Sequence, residues 1–177
     1  MGLSTIDMHV MTWVSHHRSP FFDDFFTVVT WAGSLFLLLP LSVLLTGYLL
    51  VSRKNEAIWL LGLGFGGAVL VAHLLKALIK RPRPELLSPL ITMPADFSFP
   101  SAHTTQITAF CLCLMLIVGQ NRLPWGGWPL GFAIVILIGC VAYSRLYLQV
   151  HFVSDVAAGF LLSVIWVFGA AYILHRG

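Results

Sequence analysis

From Phe25 to Val51 the chain runs without a charged residue, and a segment of that kind has few places to go. A helix that crosses a bilayer needs about 20 mainly apolar residues. A small chain that carries several such runs cannot bury them all in one aqueous core. The pattern recurs here. About Ala57 to Ile79 is apolar except for His73 and Lys76 near its end. Further runs extend from about Ser101 to Val118, Pro129 to Tyr143 and Val153 to Leu174. Over the 177 residues 58% are apolar and 10% charged, whereas soluble domains carry about 25% charged residues. These facts exclude an ordinary soluble enzyme, a disordered chain and a nucleic-acid module. Ten Lys and Arg, with a net charge of +3, are too few to track a phosphate backbone. The fold expected is all-α: a polytopic integral membrane helical bundle with five to six membrane helices, forming one domain over residues 1–177.

The first twenty residues do not read as a span. Leu3 to Val14 carries Asp7 and His9, and His16-His17-Arg18-Ser19-Pro20 interrupts it. It is expected to be an interfacial amphipathic helix, with Asp23 and Asp24 capping the first span. No basic flank precedes an apolar run and small-residue cleavage site, so no signal peptide is expected. Cys111 and Cys113 point about 200° apart on a helix and, with Cys140, are read as core- or lipid-facing. Gly62, Gly64, Gly66 and Gly67 read as a stripe for close helix packing. Trp13, Trp31, Trp59, Trp125, Trp128 and Tyr147 read as interface belts.

Five spans put the N-terminal segment, the 80–100 loop and the 144–152 region on one face of the membrane. Ionisable groups at span ends are costly and mark functional sites, and here they gather on that face. Lys76, Lys80, Arg81 and Arg83 close the second span. Ser101 and His103 open the third, and Arg145, His151 and Asp155 lie between the fourth and fifth. Arginine forks and a lysine point charge suit phosphoryl oxygens. The Ser101-Ala102-His103 backbone falls at a helix N-terminus, which favours an anion. His151 and Asp155 are four apart and share a face if both are helical, so the carboxylate can fix one ring nitrogen and leave the other to attack. His103 is then available as acid and later as base. No metal is required by this set, because a dication beside several cations is electrostatically unfavourable. Lys80 and Arg81 are expected to snorkel to lipid headgroups. His73 is read as a packed or interface residue, and Pro94 to Phe99 as a lid or a plain loop.

Lys76-x6-Arg83-Pro84, Pro100-Ser101-Ala102-His103 and Ser144-Arg145-x5-His151-x3-Asp155 resemble the three signature blocks of the type 2 phosphatidic acid phosphatase (PAP2) superfamily. The resemblance implies a metal-independent phosphomonoesterase or pyrophosphatase that works through a phosphohistidine and needs no cofactor. By motif position His151 would be the nucleophile, Asp155 its orienting partner and His103 the general acid. Lys76, Arg83 and Arg145 would hold the phosphoryl oxygens, with Ser101 and the Ala102 amide. Ala102 stands where the family usually has glycine, which is harmless only if φ there is negative.

The implied substrate is a membrane lipid phosphate: undecaprenyl pyrophosphate, phosphatidylglycerol phosphate, phosphatidic acid or a lipid A phosphate. The short loops favour an isoprenoid or simple glycerolipid headgroup, with the bilayer holding the tail. A transporter or a lipid-phosphate-binding protein using the same basic pocket is the alternative. With Lys76, Arg83 and Arg145 assigned to substrate, the site face keeps Arg18, Lys80 and Arg81 against Arg53, Lys54, Arg122 and Arg176 on the other. By the positive-inside rule the site face is extracytoplasmic, and compactness points to a bacterial plasma membrane.

Overall fold

The fold is given by a computed structural model that describes residues 5–84, 90–119 and 127–176. Glu85 and the turn residues Asn121, Arg122, Pro124, Trp125 and Gly126 lie outside the described residues, as does the side chain of Trp128. Every regular element among the described residues is helical: α1 (Thr5–His16), α2 (Pro20–Val29), α3 (Leu35–Val51), α4 (Asn55–Leu60), α5 (Gly67–Ile79), α6 (Ala102–Gly119), α7 (Gly127–Tyr147) and α8 (Val153–Arg176). A π-helical segment, Leu61–Gly66, joins α4 to α5 in one span over Asn55–Ile79. Four helices are long and apolar enough to cross a membrane, or five if the bent pair Pro20–Gly33 and Leu35–Val51 is one span. α1, at 12 residues, reaches about 18 Å and is too short to cross.

The uncharged run from Phe25 to Val51 is therefore not one straight helix. A 3₁₀ turn at Thr30–Gly33 ends α2, and Ser34 takes an extended conformation, its hydroxyl accepting from the Phe36 amide at 3.2 Å. The 41° bend there has a packing cause. It brings backbone against α6 and α7 so closely that a Cβ on Gly33 would lie 2.7 Å from Val141 Cγ1 and 2.9 Å from the His103 carbonyl oxygen.

α6 is the central helix. It packs against α5, α7, α8 and both irregular segments, and its sequence, hydrophobic on every side, suits burial all round. This explains why Cys111 and Cys113 are both buried despite pointing apart. The glycine stripe divides. A Cβ on Gly64 would meet Cys113 and one on Gly67 would meet Trp166, whereas Gly62 and Gly66 face open space. The outer helices expose their apolar residues, including Phe36 and Val51 on α3 and Ile165 and Ile173 on α8. In water that surface would be a liability, but hydrocarbon accommodates it. Trp13, Trp31 and Trp59 are exposed, as interface residues require. Tyr147 is not a belt residue: it is buried, and its hydroxyl donates to Asp23 Oδ1 at 2.7 Å. Asp23 thus braces α7 from the first turn of α2, where Ser19 is the N-cap residue.

Replacing Gly33 with Ala is expected to cost about 1–3 kcal/mol by overpacking. Gly47→Ala on α3, where nothing lies within 4 Å of the added Cβ, should be neutral or stabilising by up to about 1 kcal/mol. Thermal unfolding in detergent compares the two.

Candidate active site

The chain ends that meet at one side of the bundle are shaped by local backbone chemistry. Lys80 caps α5 in the left-handed conformation, at φ 49°, and turns the chain out of the helix so that residues 81–84 run across the bundle end. α7 continues to Tyr147, beyond the expected Tyr143, so Ser144 and Arg145 are helical rather than in a loop. Gln149, at φ 60°, then reverses the chain, and its side-chain amide donates to the Leu146 carbonyl at 3.1 Å. α8 opens only at Val153. His151 therefore precedes the helix on which Asp155 sits, and the two do not share a helical face. They meet instead through a cap: Asp155 Oδ2 accepts from the Phe152 amide at 2.9 Å, the reach-back half of a capping box.

Close packing between α6 and α8 completes the floor. The Ser101 amide donates to the Asp155 carbonyl at 3.0 Å. A Cβ on Gly159, one turn on, would lie 2.8 Å from the Ser101 carbonyl oxygen, so only glycine lets the helices meet here. Ser101 is buried, and its hydroxyl accepts from Thr104 Oγ1 at 3.0 Å. Ala102 begins α6, and its φ is not among the positive values, which outside glycine occur at Arg53, Lys80 and Gln149 among the described residues. The alanine is thus unstrained. The first amides of α6 have no partner within the helix and carry the positive end of its dipole.

All eight residues singled out in the sequence gather at this end. His151 Nδ1 stands 3.6 Å from Asp155 Oδ2, an ion-pair distance longer than a hydrogen bond. Between them sits a residue that sequence reasoning missed. Ser98 is fully buried, donates to Asp155 Oδ2 and lies 3.5 Å from His151 Nδ1. The other ring nitrogen, Nε2, faces Arg83 Nη1 at 3.3 Å. Arg83 also donates to the Val150 carbonyl at 2.8 Å, which holds its fork over the histidine. Arg145 is buried beneath, with Nη1 donating to Thr30 Oγ1 at 2.6 Å and Nε without a hydrogen-bond partner among the described residues. An unsatisfied guanidinium N–H in such a place is costly and suits an anion as its missing partner. His103 follows Ser101 in the first turn of α6, near enough to Arg145, His151, Arg83 and Asp96 to feel their charges. Burial pushes the His151 imidazole down to about 3, the neighbouring Asp155 carboxylate opposing that and the nearby Arg145 and Arg83 adding to it.

Lys76 is buried and donates to the Phe97 carbonyl; its Nζ lies 3.0 Å from Asp96 Oδ2. Arg83 Nη2 donates to Asp96 Oδ1, and its Nε to the Asp96 carbonyl at 2.8 Å. The segment from Pro94 to Phe99 is thus no plain loop: its Asp96 carboxylate occupies two of the three cations expected to hold phosphate. Burial raises the Asp96 pKa, but the hydrogen bonds from Arg83 and Lys76 outweigh it and hold the carboxyl below its usual range.

One expectation is corrected. Arg81 does not reach to headgroups. It is largely buried, with Nη1 2.5 Å from Asp155 Oδ1 and Nη2 2.9 Å from Asp7 Oδ2. Lys80 beside it is exposed, as expected. His73 is exposed, its ring bonded to the Val69 carbonyl at 2.8 Å, as suits an interface residue rather than a packed one. Asp7 was legible only as a lone acid in an apolar segment. The cost of placing a charge there was the signal that it has a buried partner.

A membrane bundle whose helix ends bring two histidines, a carboxylate and three cations together defines a class, that of integral membrane phosphoryl-processing proteins. Residues 57–176 match the model of the PAP2 superfamily, and the chain belongs to that superfamily of phosphatases. It is 32% identical over 160 residues to phosphatidylglycerophosphatase B of Bacillus subtilis, covering 85% of this chain and 74% of that protein. It is 35% identical over 120 residues to a decaprenylphosphoryl-5-phosphoribose phosphatase of Mycobacterium tuberculosis, covering 67% of this chain and 62% of the relative. Among solved structures, the transmembrane PAP2-type phosphatidylglycerolphosphate phosphatase from Bacillus subtilis superposes with a TM-score of 0.84 at 29% identity, over 96% of this chain and 85% of the other.

Asp96→Asn frees two cations from an internal anion and is expected to tighten orthovanadate binding severalfold, since a partly exposed pair is worth up to about 1 kcal/mol. Vanadate titration of the two proteins measures it.

Proposed function

We propose that the chain hydrolyses the phosphate or pyrophosphate headgroup of a membrane lipid through a phosphohistidine on His151, with no metal. The observation that carries this reading is the ring of His151, with Asp155 and Ser98 at Nδ1 and Arg83 at Nε2. A ring held at Nδ1 presents Nε2 to the cations that would hold a phosphoryl group. Nε2 attacks phosphorus, the bond to the leaving oxygen breaks, and His103 gives that oxygen its proton. His103 then takes a proton from water, whose oxygen displaces His151 and releases phosphate. Lys76, Arg83 and Arg145 offset the charge on the transferring group, aided by Ser101 and the Ala102 amide. The unpartnered Nε of buried Arg145 supports a place for one phosphoryl oxygen.

The lipid class rests on position and on kinship. The site residues lie at the ends of membrane helices, where a lipid keeps its tail in hydrocarbon and presents its headgroup. Relatives named for a glycerolipid and a decaprenyl phosphate support a simple glycerolipid or an isoprenoid phosphate. The whole chain acts as one domain in a bacterial plasma membrane, with the site on the extracytoplasmic side. The charge balance favours that side more once Arg81 is assigned to the site. Arg18 and Lys80 then stand against Arg53, Lys54, Arg122 and Arg176.

Phosphate release by detergent-solubilised protein from undecaprenyl pyrophosphate, phosphatidylglycerol phosphate and phosphatidic acid tests the reading. At least one lipid should be hydrolysed, and His151→Ala should lose about 10³-fold or more, the scale of removing a nucleophile. EDTA should leave the rate unchanged. Release that survives in His151→Ala, or that needs added divalent metal, overturns the mechanism; folded protein inactive on every lipid favours binding or transport.

His151 also has a stability signature. A histidine whose folded pKa lies near 3, below its ordinary 6.5, takes up a proton in the unfolded chain before it does in the native one. It therefore lowers stability as pH falls through that window. Thermal unfolding measured from pH 7 to 4 should slope less in His151→Gln than in the parent.

A further inference from the structure

Arg81 lies between two carboxylates. Its Nη1 reaches Asp155 Oδ1 at 2.5 Å and Ser154 Oγ at 2.7 Å, its Nη2 reaches Asp7 Oδ2 at 2.9 Å, and its plane lies 4.3 Å over the Phe152 ring. Asp7 is itself fully engaged. It accepts from the Ser154 amide at 3.0 Å and the Ser154 hydroxyl at 2.7 Å. Both acids are almost wholly buried, with side chains 2% and 0% exposed. Asp7 comes from α1, which lies outside the residues matched by the family.

The charges along this row decide what the arrangement does. When His151 Nε2 bonds to phosphorus while Nδ1 keeps its proton, the ring becomes cationic, and Asp155 is the carboxylate that faces it. An arginine paired with Asp155 alone would cancel that carboxylate's charge. A second carboxylate on the far side of the guanidinium draws on the same cation, and the trio Asp7–Arg81–Asp155 keeps a net charge of −1 behind the histidine. Burial makes this count, because charges withdrawn from water are poorly screened.

We infer that Asp7 and Arg81 are positioning residues for the phosphoryl transfer. Asp7, supplied by the N-terminal helix, keeps Asp155 electrostatically available to the His151 ring, and Arg81 orients Asp155. The inference rests on the phosphohistidine reading. Neither residue touches the phosphoryl group, so their effect falls on the chemical step and not on substrate binding.

The alternative is that the network merely staples α1 to α8. Asp7→Asn, Ser154→Ala and the double variant Asp7→Asn with Arg81→Met separate the two, each assayed on the lipid that the parent hydrolyses and checked for folding by thermal unfolding. Asp7→Asn leaves Arg81 to neutralise Asp155, so kcat should fall about tenfold, the effect of a modest change in one charge interaction. KM should not move, whereas vanadate, which takes the same bond to Nε2, should inhibit correspondingly less well. Ser154→Ala weakens the staple without changing charge and should keep kcat near the parent's. The double variant removes the staple but restores the −1, and should recover at least a third of the lost rate. Parent-like kcat in Asp7→Asn, an equal loss in Ser154→Ala, or a double variant no better than the single overturns the inference. His151→Ala in the same series keeps the outcomes distinct. If it stays active, the phosphohistidine reading fails and takes this inference with it. An inactive His151→Ala beside an unaffected Asp7→Asn overturns the inference alone.

Discussion

Removing a guanidinium or ammonium from water is tolerable only where an anion or hydrogen-bond acceptor replaces the solvent, and the functional end of this bundle is organised by that demand. Three arginines and a lysine are withdrawn there, and they find three different answers. Arg81 is held by two buried carboxylates, Arg83 and Lys76 share Asp96, and Arg145 has Thr30 with one N–H left over. The pattern sorts the cations by accessibility to a ligand. The one enclosed by Asp7 and Asp155 is committed to the protein. Those facing a single half-exposed carboxylate, or an unfilled N–H, are disposed toward an incoming anion.

The helix packing serves that distribution. The 3₁₀ break after α2 gives up a straight span so that Thr30 can reach Arg145. Gly159 lets α8 approach α6 until the Ser101 amide meets the Asp155 carbonyl, tying the two chain segments that carry the histidines. The left-handed residues Lys80 and Gln149 sit where the chain must leave one helix and cross the bundle end. A backbone strained at single points in this way is commonly found beside functional sites, and each of these two is adjacent to a segment that delivers a cation or a histidine.

Asp96 gives the site a resting partner. Its two carboxylate oxygens lie on Arg83 and Lys76, the cations proposed to hold a phosphoryl group, and Ser98 two residues on fixes the same segment to Asp155. On the proposed reading, a substrate headgroup would exchange with a charge already in place. That lowers the cost of keeping cations together in its absence.

The sequence by itself determined the membrane class, since apolar runs of bilayer length admit no aqueous fold. It also determined that three polar blocks share one face, since parity of spans is set by counting. Which histidine nitrogen faces the cations was beyond it, and the choice of Arg83 over Arg81 came only from the spacing of the resembled motif. Arg81 and Arg83 stand in the same Arg-Pro context, and only the turn at Lys80 sends one behind Asp155 and the other over His151. Thr30 and Ser98 were invisible, and Asp7 showed only as a lone acid with no partner named, all three lying outside the motifs and meeting their partners across 53 to 147 positions. Local patterning carries no record of such pairings. They exist because helices pack at defined separations, and that geometry decides which buried charge is answered by which.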